Sequence, residues 1–209
     1  HEIDILVGTQ MVTKGHDMPG VTLVGVLLAD QSLAFPDFRA GERTFQLLAQ
    51  VAGRAGRGDR PGRVILQTFQ PDHPAIRFAA AHDHAGFFAA ELAARAELGY
   101  APFSRLVAVR VDAIDEACAR RTAEALAGVA RSHAARTGSD VRIRGPAPAP
   151  LTRLRGRYRY RVILRGADRK LLRRLAAAVV ARIDQGVAPA RAIVDFDPTG
   201  LNIGEEFVR

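Results

Sequence analysis

Two arginines stand among three glycines in the stretch QVAGRAGRG at residues 50–58. Arg54 and Arg57 are three residues apart, and the glycines leave the backbone open to close approach by a ligand. A planar guanidinium donates two parallel hydrogen bonds to a phosphate and keeps its charge, so this pair could stabilise a phosphoryl group during transfer. Spacing alone favours a plainer interpretation, in which a helix ends at glycine and the arginines are solvated.

A second polar cluster lies upstream, in the stretch GTQMVTKGHDMPG. Thr9 and Gln10 follow a short apolar run and would lie at the carboxyl end of a parallel strand, where open α/β sheets bind ligands. The polar positions that follow are Lys14, Gly15 and Asp17. The alternatives are an ordinary strand-end hydroxyl for Thr9 and a turn-forming role for Asp17.

Arginines recur at every second position in the stretch RLRGRYRYR. They are Arg153, Arg155, Arg157, Arg159 and Arg161. On a strand, the last three would share one face, and the tyrosines and aliphatic residues between them would form the buried face. We expect five same-side arginines without acidic neighbours to repel one another unless an anion offsets them, so this face should follow nucleic-acid phosphates. A merely solvated strand face is the alternative.

Charge is concentrated in the second half of the chain. Residues 1–99 carry a net charge of −2 and residues 100–209 one of +10. Arg169 and Arg173 also fall in the first turns of a predicted helix, where positive side chains oppose the helix dipole. Both observations suggest a polyanionic or acidic partner for the second half.

The first half has the pattern of a parallel α/β sheet. Apolar runs at 4–8, 21–30 and 62–69 predict three strands buried on both faces. Between the last two, Phe45 and Leu48 lie at helical spacing. Two further helical stretches follow, so we predict a helical connector over residues 73–102.

The second half predicts the order β-α-β-β-α-β, the ferredoxin-like arrangement of an antiparallel sheet with two helices on one face. Its predicted strands are 105–113, 141–145, 157–166 and 191–198, and its predicted helices are 115–136 and 168–185. Asp168 is the expected N-cap of the second helix. We therefore predict a sheet domain over 1–72 and a basic domain over 103–209.

The two polar clusters of the first half resemble motifs V and VI of superfamily 2 helicases, which lie in the second RecA-like lobe. Residues 5–57 as a whole are similar to the primosomal protein N′ family, ATP-dependent 3′→5′ DNA helicases that restart bacterial replication forks. The stretch GPAPAPLTRLRGRYRYRVILRG is similar to the C-terminal domain of that family. The resemblance implies the C-terminal part of a RecA-like lobe followed by a ferredoxin-like domain.

The resemblance also implies residue roles. Arg57 would be the catalytic arginine finger on the γ-phosphate of ATP, with Arg54 beside it. ATP-binding positions would be Gln50, Gly15 and Asp17. Contacts with the DNA backbone would come from Thr9, Gln10 and Lys14, and in the second half from Arg153, Arg155, Arg157, Arg159 and Arg161. Arg169 and Arg173 would dock the acidic C-terminal tail of single-stranded DNA-binding protein, and the whole enzyme would act on forked DNA and primosome components.

The sequence has no phosphate loop of the form GxxxxGK[ST], no Asp-Glu pair after a strand and one cysteine, Cys118. We therefore expect the C-terminal part of such an enzyme, in which a missing N-terminal lobe completes the ATP and Mg²⁺ site. The zinc site of the family would also lie outside this chain, and the chain alone should lack ATPase activity. A non-catalytic nucleic-acid-binding protein on a decayed motor, or another superfamily 2 DNA motor, is the alternative.

Composition limits the remaining classes of function. No apolar run is long enough to span a bilayer, and no secretory signal precedes residue 20. A single cysteine permits no internal disulfide, so we expect a cytoplasmic, nucleoid-associated protein without membrane contact. His73, His82 and His84 are predicted to be a solvated helix end rather than a metal site.

Overall fold

The computed structural model describes residues 4–9, 21–53 and 62–198. The chain divides into two compact units, of which the first comprises residues 1–35 and 39–93 and the second residues 36–38 and 94–209. The described residues form a mixed α/β structure with a parallel two-stranded sheet and an antiparallel four-stranded sheet.

The secondary structure begins with β1 (Leu23–Val26), a short 3₁₀ helix (Gln31–Ala34), α1 (Ala40–Ala52), β2 (Arg63–Leu66), α2 (Pro74–Ala80) and α3 (His84–Leu98). It continues with β3 (Arg105–Ala113), α4 (Glu116–Thr137), β4 (Arg142–Leu154), β5 (Arg157–Gly166), α5 (Arg169–Asp184) and β6 (Arg191–Phe196). The elements from β3 onward follow the predicted order β-α-β-β-α-β.

Helix α1 supplies the core of the first unit. Phe45 and Leu48 lie one turn apart on its apolar stripe and are fully buried. The ring of Phe45 stacks on that of Phe87 in α3, with the centroids 4.0 Å apart. Val26 of β1 and Leu66 of β2 pack against this cluster. The predicted helix and its buried face are therefore confirmed.

The predicted strand at 4–8 is wrong, since residues 5–9 form no strand and the side chains of Ile5 and Val7 are exposed. Burial of the other two strands on both faces is wrong as well. Leu23 of β1 is 57% exposed and Ile65 of β2 is 48% exposed. The physical reason is that, among the described residues, the helices cover only one face of a two-stranded sheet.

The four strands of the second unit lie in the order β4-β5-β3-β6, and every neighbouring pair is antiparallel. Val107 and Val109 of β3 and Val162 and Leu164 of β5 point toward α4 and α5 and form the centre of the core. The contribution of α4 consists mostly of small side chains, at Ala119, Ala123, Ala127 and Ala130. Alanines at this spacing let α4 lie close to the sheet. Both helices pack against the same core, so they cover the same face of the sheet.

Both long helices of the second unit begin at an aspartate. Asp115 Oδ1 accepts a hydrogen bond of 2.7 Å from the backbone N–H of Cys118. Asp168 Oδ1 accepts from the N–H groups of Lys170 and Leu171 at 2.7 and 3.1 Å. These bonds satisfy donors that a helix leaves unpaired at its start, and they confirm the predicted N-cap at Asp168.

The proline-rich segment after residue 145, predicted as an extended connection, is part of strand β4. Its pairing with β5 is irregular between Arg144 and Ala147 and again between Pro148 and Arg153. Arg155 and Gly156 then form a two-residue turn in which both φ angles are positive, at 50° and 77°. A hairpin turn of this kind matches the twist of the strands that it joins.

We expect replacement of Gly145 by alanine to destabilise the chain by about 2–4 kcal/mol, because its φ of +93° strains any side chain. A Cβ at this position would also lie 2.6 Å from the carbonyl oxygen of Arg161. Gly128 on α4 is the matched control, since a Cβ there meets nothing within 4 Å. Gly128→Ala should stabilise by roughly 0.5–1 kcal/mol through helix propensity. Urea unfolding followed by circular dichroism measures both, and equal stability of the two variants would contradict this account.

Candidate nucleic-acid interface

The face of the four-stranded sheet opposite α4 and α5 carries most of the charge of the strands, and we call it the arginine face. Its arginines come from all four strands, since paired residues on antiparallel strands share a face. They are Arg110, Arg142, Arg144, Arg157, Arg159, Arg161, Arg165 and Arg191. The predicted common face of Arg157, Arg159 and Arg161 is therefore present in the structure.

The expectation that these arginines lack acidic neighbours is wrong. The Nε of Arg157 donates a hydrogen bond to Asp112 Oδ2, and its Nη2 donates to the Asp112 carbonyl oxygen at 3.1 Å. Asp112 also lies opposite Arg159 on one side and Arg191 on the other. Strand pairing brings this carboxylate from a position 45 residues earlier in the chain. Part of the repulsion is therefore offset within the protein.

Two arginines at the centre of the face are buried. Arg159 and Arg110 are 7% and 8% exposed. Burial lowers the pKa of Arg159, the positive charge of Arg110 lowers it further, and the negative charge of Asp112 raises it. These two side chains therefore raise the potential of the face from below its surface rather than reach into solvent.

One end of the face is occupied by side chains of the same unit. Arg165 Nη1 donates to the carbonyl oxygen of Leu98 at 2.8 Å, and its guanidinium lies 5.2 Å from the ring centroid of Tyr100. Burial lowers the pKa of Arg161, while electrostatic interactions with Asp37 and Tyr100 raise it. The arginines at this end are thus already engaged.

Arg153 and Arg155 do not continue the row of Arg157, Arg159 and Arg161. Arg153 pairs with Tyr158 and therefore lies on the opposite face, with its guanidinium 5.2 Å from the tyrosine ring centroid. Arg155 occupies the exposed turn. The expectation of five same-side arginines is wrong, because the turn restarts the alternation on a new strand.

Sequence reasoning missed two exposed arginines of β4. Arg142 pairs with Arg165, and Arg144 pairs with Ile163. Both side chains are exposed on the arginine face. The alternating stretch VRIRG was a sufficient signal for their shared face, but only the pairing of β4 with β5 places them beside the other arginines.

A cavity of about 280 Å³ lies at the start of α5. It is lined by Arg169 and Arg173, the two residues predicted to bind a partner, and by Arg105 of β3. Leu172 and Phe196 contribute apolar surface. Sequence reasoning missed Arg105, which is 64 residues before Arg169 and reaches the cavity only through the packing of α5 on the sheet.

The matched regions of known proteins decide the family. Residues 96–199 match the family described as "Primosomal protein N C-terminal domain". Proteins named "Replication restart protein PriA" are 41% identical in Bacillus subtilis, 45% in Synechocystis and 40% in Treponema pallidum, over 93%, 78% and 97% of this chain. The chain belongs to the PriA family.

The chain spans 24%, 19% and 30% of the lengths of these three PriA relatives. The designed protein Foldit4 overlaps 46% of this chain with a TM-score of 0.35 and 16% identity, a likeness too low to support a conclusion. The stretch matched to the PriA C-terminal domain contains the whole arginine face and the cavity.

Most of the first-half residues to which the PriA resemblance assigns a role in binding ATP or DNA lie outside the described residues. They are Gln10, Lys14, Gly15, Asp17, Arg54 and Arg57. Thr9 and Gln50 are described and exposed, and Gln50 lies in the last turn of α1. The roles of all eight residues stay predictions.

His73 has a structural role in the described part of the chain. It is the N-cap of α2, where its Nδ1 accepts a hydrogen bond of 3.2 Å from the backbone N–H of Ala75. Within residues 4–9, 21–53 and 62–198, no group of three His, Cys, Asp or Glu side chains is placed to hold a metal ion. No helix in these ranges is long and apolar enough to cross a membrane.

Proposed function

We propose that the second unit of this PriA-family chain binds the phosphate backbone of DNA through the arginine face. The observation that carries the proposal is the collection of eight arginines from four strands on one side of the sheet. The exposed arginines of this face are Arg142, Arg144 and Arg191. On this proposal they contact the phosphates directly. Arg157, Arg159 and Arg161 sit behind them and contribute positive potential.

Contacts of this kind suit a protein that must act on any sequence. Arginine bonds to phosphate oxygens fix position and orientation but carry no information about the bases. Arg155 at the β4–β5 turn extends the basic surface beyond the sheet, whereas Arg153 lies on the opposite face. We infer that the chain recognises forked DNA, with single-stranded and duplex arms, by its charge and shape.

We further propose that the intact protein is an ATP-dependent 3′→5′ DNA helicase that acts in replication restart in the cytoplasm. The names of the relatives support the role in replication restart. On this proposal the first unit is the end of a RecA-like lobe, in which Arg57 and Arg54 face ATP and Mg²⁺ bound to an upstream lobe. The strand order β4-β5-β3-β6 supports a ferredoxin-like fold for the second unit.

The cavity at the start of α5 supports a protein partner as well. Arg105, Arg169 and Arg173 would pair with carboxylates, while Leu172 and Phe196 would receive an apolar side chain. An acidic peptide that ends in a carboxylate on an apolar residue has both features. We propose the C-terminal tail of single-stranded DNA-binding protein as this ligand.

Removal of the two exposed β4 arginines tests the DNA proposal on the 209-residue chain. We expect Arg142→Gln with Arg144→Gln to weaken binding to forked DNA about tenfold at moderate salt. The slope of the logarithm of the binding constant against the logarithm of salt concentration should also fall, by the equivalent of roughly one to two released counterions. Fluorescence anisotropy over a series of salt concentrations measures both quantities.

The matched control for this experiment carries the same loss of charge on α4, on the other side of the sheet. Arg121→Gln with Arg136→Gln replaces two exposed arginines of that helix. Equal weakening by both double variants would show a general charge effect and would rule out the arginine face as the binding surface. A wild-type affinity for DNA that does not fall as salt concentration rises would also rule out the arginine face as the binding surface.

A further inference from the structure

The cavity at the start of α5 contains one negative charge of its own. Arg105, Arg169 and Arg173 supply three positive charges around it, and Asp197 supplies the single carboxylate that the described residues contribute to its lining. Asp197 Oδ2 lies 2.9 Å from Arg105 Nη1. Because Asp197 is paired with Arg105, the carboxylate offsets the charge of Arg105 first.

Asp197 is held in place by the backbone rather than by Arg105 alone. Its Oδ1 accepts a hydrogen bond of 3.3 Å from the N–H of Leu106, and its own N–H donates to the Leu106 carbonyl oxygen at 2.8 Å. Its φ of +48° is left-handed, a conformation that aspartate and asparagine adopt more readily than most residues. The carboxylate is thus presented to the cavity by a fixed turn at the end of β6.

We propose that Asp197 is a resident anion of this cavity. In the absence of a ligand it forms an ion pair with Arg105, and it competes with the carboxylate of an incoming ligand for Arg105. The inference rests on the proposed docking of an acidic tail at the same cavity. The side chains of Arg105 and Asp197 are 51% and 48% exposed, so water screens their attraction and the pair is weak. A ligand that also engages Arg169 and Arg173 can therefore take over Arg105, and Asp197 sets how acidic that ligand must be.

Asp197→Asn removes the charge and keeps the fold-supporting bond, because the amide oxygen can still accept from the Leu106 N–H and asparagine tolerates the left-handed turn. We expect this variant to bind the synthetic C-terminal peptide of single-stranded DNA-binding protein about three- to tenfold more tightly than wild type. The gain should disappear when Arg105→Gln is added, since Asp197 acts through Arg105. Asp184→Asn, at the far end of α5, is the matched control and should change affinity less than about twofold.

A second probe separates this inference from the proposed partner. Inorganic phosphate, titrated while the Nε–H signals of the arginines are followed by NMR, needs no protein ligand. Tighter phosphate binding at Arg105 in Asp197→Asn than in wild type supports the resident anion, even if the peptide fails to bind, and such a failure would reject the proposed tail instead. Unchanged phosphate and peptide affinity in Asp197→Asn, or a gain that persists with Arg105→Gln, would overturn the inference.

Discussion

Arg57→Ala in the full-length protein should lower the rate of ATP hydrolysis by about 10³-fold or more while DNA affinity stays nearly unchanged. The reason is that an arginine finger acts on charge that develops during phosphoryl transfer, so its loss removes stabilisation from the transition state rather than from the bound DNA. Steady-state ATPase assays with saturating forked DNA measure the rate, and anisotropy measures the affinity.

The same segment offers a matched control for this prediction. Arg60 follows Arg57 at the same spacing of three residues but stands outside the QxxGRxGR pattern. Arg60→Ala should hydrolyse ATP within a few-fold of the wild-type rate. An Arg57→Ala enzyme that hydrolyses ATP at the normal rate would reject the finger assignment, and equal losses in both variants would indicate a general effect of charge in this segment.

Asp112→Ala is expected to destabilise the chain by about 2–3 kcal/mol, because it removes the carboxylate at the centre of the arginine face. Arg157 would lose its hydrogen-bond acceptor, and the largely buried Arg159 and Arg110 would keep like charges side by side. The partial exposure of the Arg157–Asp112 pair keeps the expected loss below that of a fully buried pair. Urea unfolding monitored by circular dichroism measures the change in stability.

Further variants separate the charge of Asp112 from its shape. Asp112→Asn keeps an acceptor for Arg157 and should lose less stability than Asp112→Ala. Arg157→Gln should cost less in the Asp112→Ala background than in wild type, since its partner is already gone. Asp140→Asn replaces an exposed aspartate and should change stability by less than about 0.5 kcal/mol. An Asp112→Ala chain as stable as this control would show that the pair contributes nothing.

DNA affinity should move in the opposite direction from stability in the Asp112 variants. Loss of the carboxylate makes the net charge of the arginine face more positive by one unit, so binding to forked DNA should tighten or stay unchanged. Weaker DNA binding by a folded Asp112→Asn chain would show that the carboxylate positions Arg157 for the DNA rather than offsetting its charge.

Local patterns in the sequence were sufficient for most elements of the second unit, although they ended β4 at residue 145 rather than at Leu154. The alternation of RLVAVRVDA predicts β3 with the observed bounds, 105–113, because a strand buried on one face repeats every second residue. Asp168 predicts the start of α5, because N-capping joins residues that are no more than three positions apart. The common face of Arg157, Arg159 and Arg161 follows from the same period of two.

The first unit shows where such patterns fail. The apolar runs at residues 4–8 and 21–30 resemble strands buried on both faces, yet Ile5 and Leu23 are exposed in the structure. A run of apolar residues indicates that a strand could be buried on both faces by neighbouring layers of structure. Whether it is covered depends on the layers that pack against it, which the run itself does not encode.

The sequence by itself determined the family resemblance, the order of the elements in the second unit and the side of β5 on which its arginines lie. Only the tertiary structure decided which charges meet. Asp112 reaches Arg157, Arg142 reaches Arg165, and Arg105 joins Arg169 at the cavity, each across more than 20 residues of chain. Side-chain direction is set by neighbours along the strand, but the partners of a charge are set by strand register and helix packing, which join residues distant in sequence.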